Sequence, residues 1–138
     1  MTTEMPQVFS WPVRIYYEDT DAGGIVFYAN YLKFFERART EWLRAAGVSQ
    51  QELLNDEGAM FVVKSTSVDY HAPARLDDVL NLTLSIEKLG RASVSFVQQA
   101  WCGDTLLTSA NVKVGCVDAA TLRPRSLPDA TAAKMRAA

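Results

Sequence analysis

Three carboxylates stand close together near the start of the sequence, at Glu18, Asp19 and Asp21. An alternating segment that is typical of a strand, 13–17, precedes them, and two glycines and an apparent helix start follow. A carboxylate that faces the first turn of a helix could attack a carbonyl carbon or activate water. The N–H groups of that turn have no partner inside the helix, so they can hold a carbonyl oxygen as it gains charge. The segment supplies both parts within ten residues, as Asp21 and as the backbone amides near Tyr28.

The same acidic segment has three other interpretations. If Asp19 begins a calcium loop, Gly23 and Asn30 occupy the positions where two calcium ligands belong, so the ligand set is incomplete. Paired glycines before a helix could also cradle a phosphate, but adjacent carboxylates would repel it. Finally, Asp and Gly are ordinary turn residues, and this structural interpretation stays open beside the catalytic one.

Other catalytic and metal-binding patterns are absent from the sequence. No G-x-S-x-G elbow occurs, and the one histidine, His71, is far in sequence from any obvious nucleophile. Cys102 and Cys116 lack CxxC spacing and make a poor zinc set with a single histidine. We therefore expect no metal site, and two free thiols in a reducing cytoplasm.

Composition favours one globular domain without nucleic-acid or membrane partners. The chain has 138 residues, and its 14 basic and 16 acidic residues give a net charge of −2. No basic stripe suggests nucleic acid, and no apolar run approaches the roughly 20 residues of a membrane span. No signal peptide is evident at the first residues. We expect a single cytoplasmic domain over 1–138, with its core at about 12–128.

The periodicity of apolar residues predicts one long helix. A strand is expected from Pro12, after a loose arm over residues 1–10. Asn30 is a plausible helix N-cap and Gly47 a plausible residue just after the helix. Between them, apolar residues recur at spacings of three and four, at Tyr31, Phe35, Ala38, Trp42 and Ala45.

From Met60 the period changes to two, which predicts strands to near the end of the chain. A strand that ends near Tyr70 is followed by three long strands, with hairpin turns at Gly90-Arg91 and Gly103-Asp104. A short helix is expected near 50–55, and a short helix or tail after Pro128. One helix and one antiparallel sheet must bury each other's apolar faces, so the fold class is α+β in two layers.

The segment YYEDTDAGGIVFYANYLKFFERARTEWLR closely resembles the 4-hydroxybenzoyl-CoA thioesterase family of hotdog-fold proteins. Within that family, the YbgC subfamily of acyl-CoA thioesterases, also called Tol-Pal-associated, is the most similar. The segment FVVKSTSVDYHAPARLDDVL, with its Tyr-x-x-Pro and Asp, also looks like that subfamily. The resemblance extends from about Pro12 to Pro128 and rests on the motif D-x-D-x-x-G-I-V-[aromatic]-x-x-N-Y.

The resemblance implies a fold, an assembly and a pair of catalytic groups. The family fold is a long helix wrapped by a five-stranded antiparallel sheet. Its members form homodimers or homotetramers with active sites at subunit interfaces. By this resemblance Asp21 is the catalytic carboxylate, and the backbone N–H of Tyr28 polarises the carbonyl group. Many YbgC proteins have histidine at the Tyr28 position, and only a backbone role survives that difference.

The implied activity is hydrolysis of short-chain or aromatic acyl-CoA to the free acid and coenzyme A. The leaving thiol has a pKa of about 8.5, judged by cysteine, so it needs little help from a general acid. Coenzyme A is then part of the substrate, and no cofactor is expected. Whether Asp21 is the nucleophile or the general base stays open. Glu36 and Glu41 on the helix are alternative bases, although flanking arginines favour surface pairs.

The rival functions come from two other classes. A hotdog dehydratase would need His71 as its catalytic histidine. A non-enzymatic protein would bind acyl-CoA or acyl carrier protein, or act as a scaffold linked to envelope maintenance. An acyl carrier protein is also an alternative acyl donor for the thioesterase.

The substrate contacts are expected on both sides of the helix start. Gly23 and Gly24 let the backbone turn sharply and leave room for the substrate. The acyl group would lie along Ile25, Val26 and Phe27, with Met60 and Phe61 added by a partner subunit. The phosphates of coenzyme A call for cations at the mouth of the pocket, and the candidates are Lys64, Arg75 and Arg91.

Overall fold

A long helix packs across one face of a five-stranded antiparallel sheet in the computed structural model, which describes residues 8–138. The strands are β1 (Phe9–Arg14), β2 (Ala59–Tyr70), β3 (Val79–Leu89), β4 (Ser93–Cys102) and β5 (Thr105–Asp118). The helices are α1 (Asn30–Ala45), the short α2 (Gln50–Glu52), which continues as a π-helical turn over Leu53–Glu57, and α3 (Asp129–Ala137). The predicted order of one strand, a long helix and four strands is therefore confirmed.

The order of strands across the sheet is β1-β3-β4-β5-β2, which leaves β1 and β2 at the two edges. Tight turns join β3 to β4 and β4 to β5 at the predicted positions, and Gly103 has a φ of +58° in the second of them. Because β2 begins where β5 ends, the start of β2 and the turn after β3 lie at one end of the sheet. The end of β2 and the start of β3 lie at the other end, beside the start of α1.

The core lies between α1 and the inner face of the sheet. Alternate residues of β4 are buried, at Val94, Phe96, Gln98 and Ala100, as the period of two requires. The buried face of α1 is wider than predicted, since it includes Tyr31, Phe34, Phe35, Ala38, Trp42 and Leu43. Burying one such phenylalanine contributes about 1.5–3 kcal/mol. The prediction of Ala45 in this stripe is wrong, because that residue is exposed in the last turn of the helix.

One polar side chain crosses the apolar layer between helix and sheet. Gln98 is fully buried, and its Nε2 donates to the Phe35 carbonyl oxygen at 2.9 Å. Its Oε1 accepts from Nη1 of Arg39 at 3.0 Å. Both ends of the amide are therefore hydrogen-bonded, which is what a buried polar group needs.

The first strand differs from its prediction at both ends. It begins at Phe9 rather than Pro12, because Phe9 packs against the core and pairs with Leu84. Of the loose arm predicted over residues 1–10, residues 1–7 lie outside the described part of the chain, and the strand includes the last two. The strand ends at Arg14, since a 3₁₀ turn over Tyr17–Asp19 redirects the chain toward α1.

Candidate active site

The acidic segment folds into a small hairpin in front of α1. Thr20 and Val26 form an antiparallel bridge, and the Asp21 N–H donates to the Ile25 carbonyl at 2.8 Å. The Gly24 N–H donates back to the Asp21 carbonyl at 3.0 Å. Gly24 has a φ of +79°, which a glycine adopts without strain and which closes this kind of hairpin. The two glycines thus place Asp21 at the start of a defined turn.

Asp19 attaches the hairpin to the start of α1. Its carbonyl oxygen accepts from the Phe27 N–H at 3.0 Å and from Nδ2 of Asn30 at 2.8 Å. Its carboxylate accepts from the Tyr16 N–H at 2.8 Å and caps the 3₁₀ turn. The prediction that Asn30 caps α1 is wrong, because Asn30 is the first helical residue and its side chain bonds to Asp19 instead. Asp19 and Asn30 therefore have structural contacts that fix the hairpin against the helix.

The Asp21 carboxylate is exposed and only half engaged. Its Oδ1 accepts from the Gly23 N–H at 2.8 Å, which fixes the side chain in an Asx turn. Within residues 8–138, no hydrogen bond reaches Oδ2 and no cation pairs with this carboxylate. One oxygen orients the group and the other is available to a substrate or a water molecule. The turn interpretation and the catalytic interpretation of Asp21 are therefore compatible.

The start of α1 presents two backbone donors. In the part of the chain that the structure describes, the N–H groups of Tyr28 and Ala29 donate to no acceptor. Their neighbours are engaged, since the Phe27 N–H donates to Asp19 and the Asn30 N–H donates to the Phe27 carbonyl at 2.9 Å. Donors at a helix N-terminus also carry the positive end of the helix dipole. They can stabilise an oxygen that becomes negative.

An aromatic cluster surrounds these donors. The Tyr70 hydroxyl donates to the Tyr28 carbonyl at 3.1 Å, and the Tyr70 ring meets the Tyr28 and Tyr31 rings edge-on at 6.0 and 5.7 Å. The Phe27 ring lies 4.9 Å from the Tyr28 ring. Burial raises the pKa of the Tyr31 and Tyr70 phenols above the ordinary value. Both hydroxyls consequently stay protonated near neutral pH, and that of Tyr70 donates to the Tyr28 carbonyl.

The part of the chain that matches a known protein family begins at the glycines of this hairpin and includes all of α1. Residues 23–109 match the sequence model of the thioesterase superfamily. The chain belongs to the thioesterase superfamily. The predicted resemblance to the 4-hydroxybenzoyl-CoA thioesterase family and the prediction of a thioesterase enzyme are confirmed.

Relatives of this thioesterase cover nearly its whole length. The acyl-CoA thioesterase YbgC of Haemophilus influenzae is 47% identical over 120 residues, which are 87% of this chain and 88% of that protein. The acyl-CoA thioester hydrolase YbgC of Escherichia coli O157:H7 is 48% identical over 130 residues, 94% of this chain and 96% of that protein. The crystal structure of a probable thioesterase from Bartonella henselae has a TM-score of 0.84 and 33% identity, covering 88% of this chain and 100% of that one. The predicted α+β hotdog fold is confirmed.

The thioesterase hairpin continues into the residues predicted to contact the acyl group. Ile25 forms a bridge with Arg75, and the Val26 N–H donates to the Ala74 carbonyl at 2.9 Å. Val26 is buried, Ile25 is half-buried and Phe27 is 44% exposed. Of these side chains, Phe27 and Ile25 are therefore the ones that a bound molecule could reach directly.

The three predicted phosphate-binding cations lie in different places. Arg75 is exposed and adjoins the Asp21 hairpin through its bridge to Ile25. Lys64 is the bulged residue in the middle of β2, and its side chain lies over Gly115. Arg91 lies in the turn after β3, where its Nε donates to Oγ of Ser126 at 3.1 Å. That turn is about 33 Å from the start of β3, at 3.3 Å for each residue of a strand. Within one protomer, only Arg75 therefore lies near Asp21.

Other predicted candidates have structural contacts. His71 is exposed, and its Nε2 lies 2.8 Å from Oγ of Ser109. Glu41 forms an ion pair with Arg44, and Glu36 accepts from Oγ1 of Thr40 at 2.8 Å. Across residues 8–138, no three His, Cys, Asp or Glu side chains converge as a metal site, and no helix is long and apolar enough to cross a membrane.

A separate cavity of about 150 Å³ lies between α1 and the sheet. Its walls are mostly apolar, with Leu43, Phe61 and Phe96 among them, and Arg39 contributes a cation. Burial lowers the pKa of the Arg39 guanidinium, which nevertheless stays protonated. Arg39 lies about 16 Å along α1 from Tyr28, at 1.5 Å rise for each helical residue. This cavity is therefore distinct from the Asp21 hairpin within one protomer.

Proposed function

We propose that the protein hydrolyses acyl-CoA thioesters to a free acid and coenzyme A. The observation that carries this proposal is the Asp21 carboxylate, which has one oxygen without a partner in the described residues and lies on the hairpin that leads into the N–H donors of Tyr28 and Ala29. A carboxylate and an oxyanion site are the two parts that thioester hydrolysis requires. The names of the relatives from Haemophilus influenzae and Escherichia coli, both acyl-CoA thioester hydrolases, support the same substrate class.

The chemistry has two possible first steps at Asp21. Its carboxylate attacks the thioester carbon and expels the thiolate of coenzyme A, and water then hydrolyses the acyl-aspartate anhydride. In the second route the carboxylate takes a proton from water, whose oxygen attacks the same carbon before the thiolate leaves. In both routes the carbonyl oxygen becomes negative and the Tyr28 N–H stabilises it. A thiol pKa of about 8.5 lets the thiolate leave without a positioned acid, and neither route draws on a cofactor.

We infer that the acyl group lies against the side of the hairpin that carries Ile25 and Phe27. Ile25 and Phe27 offer apolar surface there, and the aromatic rings of Tyr28 and Tyr70 continue it. Such a surface suits short-chain or aromatic acyl groups. Arg75, which is bridged to Ile25, is the cation best placed for a phosphate of coenzyme A. In this proposal Lys64 and Arg91 contribute only if another protomer brings them near.

We also infer a homodimer or homotetramer that uses the β2 edge. This strand is 12 residues long and lies at the edge of the sheet, where its outer backbone groups can pair with another strand. The strand carries exposed apolar side chains at Val63 and Tyr70. Sedimentation should give twice or four times the mass of the chain, and a monomer would contradict this assembly. A cytoplasmic site of action fits free thiols at Cys102 and Cys116.

The test is release of free thiol from a panel of acyl-CoAs of increasing length, with benzoyl-type esters and one acyl carrier protein thioester included. We expect turnover of short or aromatic acyl-CoAs and slower turnover as the chain lengthens. Preference for the carrier-protein thioester would keep the reaction and change the acyl donor. If no member of the panel releases thiol above the uncatalysed rate, the proposed function is wrong.

A second prediction separates the two glycines of the hairpin. A Cβ at position 23 would lie 3.2 Å from Oδ1 of Asp21, so Gly23→Ala should push the carboxylate aside by a few tenths of an ångström. Because small misplacements of reacting groups are costly, we expect kcat to fall by about threefold to tenfold with little change in melting temperature. Gly24→Ala should instead cost about 1–2 kcal/mol of stability, since a side chain strains a positive φ. A Gly23→Ala variant with the kcat of the wild type would argue against a reacting Asp21.

A further inference from the structure

The hydroxyl of Tyr70 joins the sheet to the start of α1. Tyr70 is the last residue of β2, and its Oη donates to the carbonyl oxygen of Tyr28, 42 positions earlier in the chain, at 3.1 Å. The ring is packed edge-on against Tyr28 and Tyr31, so the hydroxyl has little freedom to point elsewhere. This bond therefore fixes a backbone carbonyl beside the two donors at the start of α1.

The geometry of the peptide bond links that carbonyl to a donor. A trans peptide is planar, and its C=O and N–H point in opposite directions. Holding the Tyr28 carbonyl therefore sets the direction of the Ala29 N–H, which donates to nothing within residues 8–138. The other bond to this carbonyl comes from the Tyr31 N–H and is long, at 3.4 Å. The Tyr28 N–H is oriented by a backbone bond, since the carbonyl of its own peptide accepts from the Asn30 N–H.

We propose that Tyr70 is a positioning residue that aims the Ala29 N–H at the thioester oxygen, as a second donor beside the Tyr28 N–H. This inference rests on the proposed function. Two donors stabilise an oxyanion better than one, because each makes a hydrogen bond that strengthens as the charge develops. Tyr70 acts only through the peptide, since its own hydroxyl proton is already used on the Tyr28 carbonyl.

The first test is Tyr70→Phe, which keeps the ring contacts and removes the hydroxyl. We expect kcat to fall by about tenfold with KM changed less than about twofold, because the lost bond acts on the transition state and not on ground-state binding. Tyr17→Phe is the matched control, since Tyr17 is 83% exposed and its hydroxyl has no partner in the described residues. A Tyr70→Phe variant with the kcat of the wild type would overturn the proposal.

The second test removes the donor itself. Ala29 has a φ of −69°, which proline also adopts, so Ala29→Pro deletes the N–H, while its ring also restricts the backbone of the preceding Tyr28. Ala29→Ser keeps the N–H and is the control. We expect Ala29→Pro to lower kcat by about tenfold to a thousandfold, the range up to the loss of a full oxyanion donor. Circular dichroism checks that the variant is folded.

The double variant separates positioning from a purely structural role. If Tyr70 works through the Ala29 N–H, adding Tyr70→Phe to Ala29→Pro should lower kcat no further. If the loss of kcat in the double variant equals the product of the two single losses, the hydroxyl acts independently of the Ala29 N–H, and the proposal fails. The proposed function fails by a different result, namely a wild type that releases no thiol, and an active Asp21→Asn variant would refute the role of Asp21. An inactive Asp21→Asn together with a fully active Tyr70→Phe would overturn only the inference about Tyr70.

Discussion

Replacing Asp21 by asparagine should lower kcat for acyl-CoA hydrolysis by at least about a hundredfold, the scale of losing a general base or nucleophile. The amide has the same shape as the carboxylate, but it neither takes a proton from water nor attacks a carbonyl carbon. Its Oδ1 can still accept the Gly23 N–H, so the hairpin should keep its turn. We therefore expect KM and the circular dichroism spectrum to stay close to those of the wild type. Steady-state kinetics on the best acyl-CoA of the panel would measure both constants.

A neighbouring carboxylate provides the matched control for Asp21. Glu18 is exposed, and its side chain makes no hydrogen bond or ion pair with residues 8–138. Glu18→Gln changes the local charge by the same amount as Asp21→Asn, so it isolates the effect of position from that of charge. We expect Glu18→Gln to retain kcat within about twofold, as surface changes away from reacting groups usually do. Equal losses in the two variants would show that general charge near the hairpin, and not Asp21, limits the reaction.

Phe34→Ala should lower the free energy of unfolding by about 3–5 kcal/mol, the usual cost of emptying a buried phenylalanine site. The Phe34 side chain is fully buried between α1 and the sheet, with the Tyr31 ring at 5.8 Å and the Arg37 guanidinium 5.9 Å from its centre. The structure around a truncated core residue relaxes only partly, so the surrounding side chains can fill little of the cavity. Urea denaturation at a fixed protein concentration would measure the loss, since subunit association also contributes to stability.

Lys33 is the control for Phe34 because it is the preceding residue of the same helix and is exposed. Lys33→Ala should change the free energy of unfolding by no more than about 0.5 kcal/mol. A loss below about 1 kcal/mol in Phe34→Ala would contradict the packing of α1 against the sheet, since buried phenylalanines rarely cost so little.

Most of the fold could be predicted from local patterns of apolar residues in the sequence. The spacing of apolar residues in 31–45 and the alternation after Met60 identify α1 and four strands, because each pattern has one period and a long run. The errors lie where distant residues compete with local preference. Asn30 has the side chain of a helix cap, yet that side chain donates to the carbonyl oxygen of Asp19, 11 positions earlier in the chain. The start of β1 at Phe9 depends on pairing with Leu84, which is 75 positions away and invisible to local periodicity.

In the candidate site, too, features within one segment were predictable and contacts between distant residues were not. Asp21, Gly24 and Tyr28 stand within one short segment, so their types and spacing indicate a carboxylate, a sharp turn and a helix start. Tyr70 could not be predicted as a residue of the candidate site, because its hydrogen bond to Tyr28 spans 42 positions. Its only sequence signal is its place in the Tyr-x-x-Pro motif. Choosing Arg75 over Arg91 likewise needs the order of strands, which puts the two residues at opposite ends of β3.

A single-turnover experiment tests the central claim most directly. With enzyme in excess over one acyl-CoA, the rate of thiol release reports the chemical step and not product release. We predict that the rate constant for Asp21→Asn is lower than that of the wild type by at least about a hundredfold, while both proteins bind the ester equally. Equal rate constants for the wild type and a folded Asp21→Asn variant would show that Asp21 does no chemistry and that the hairpin serves only as a turn.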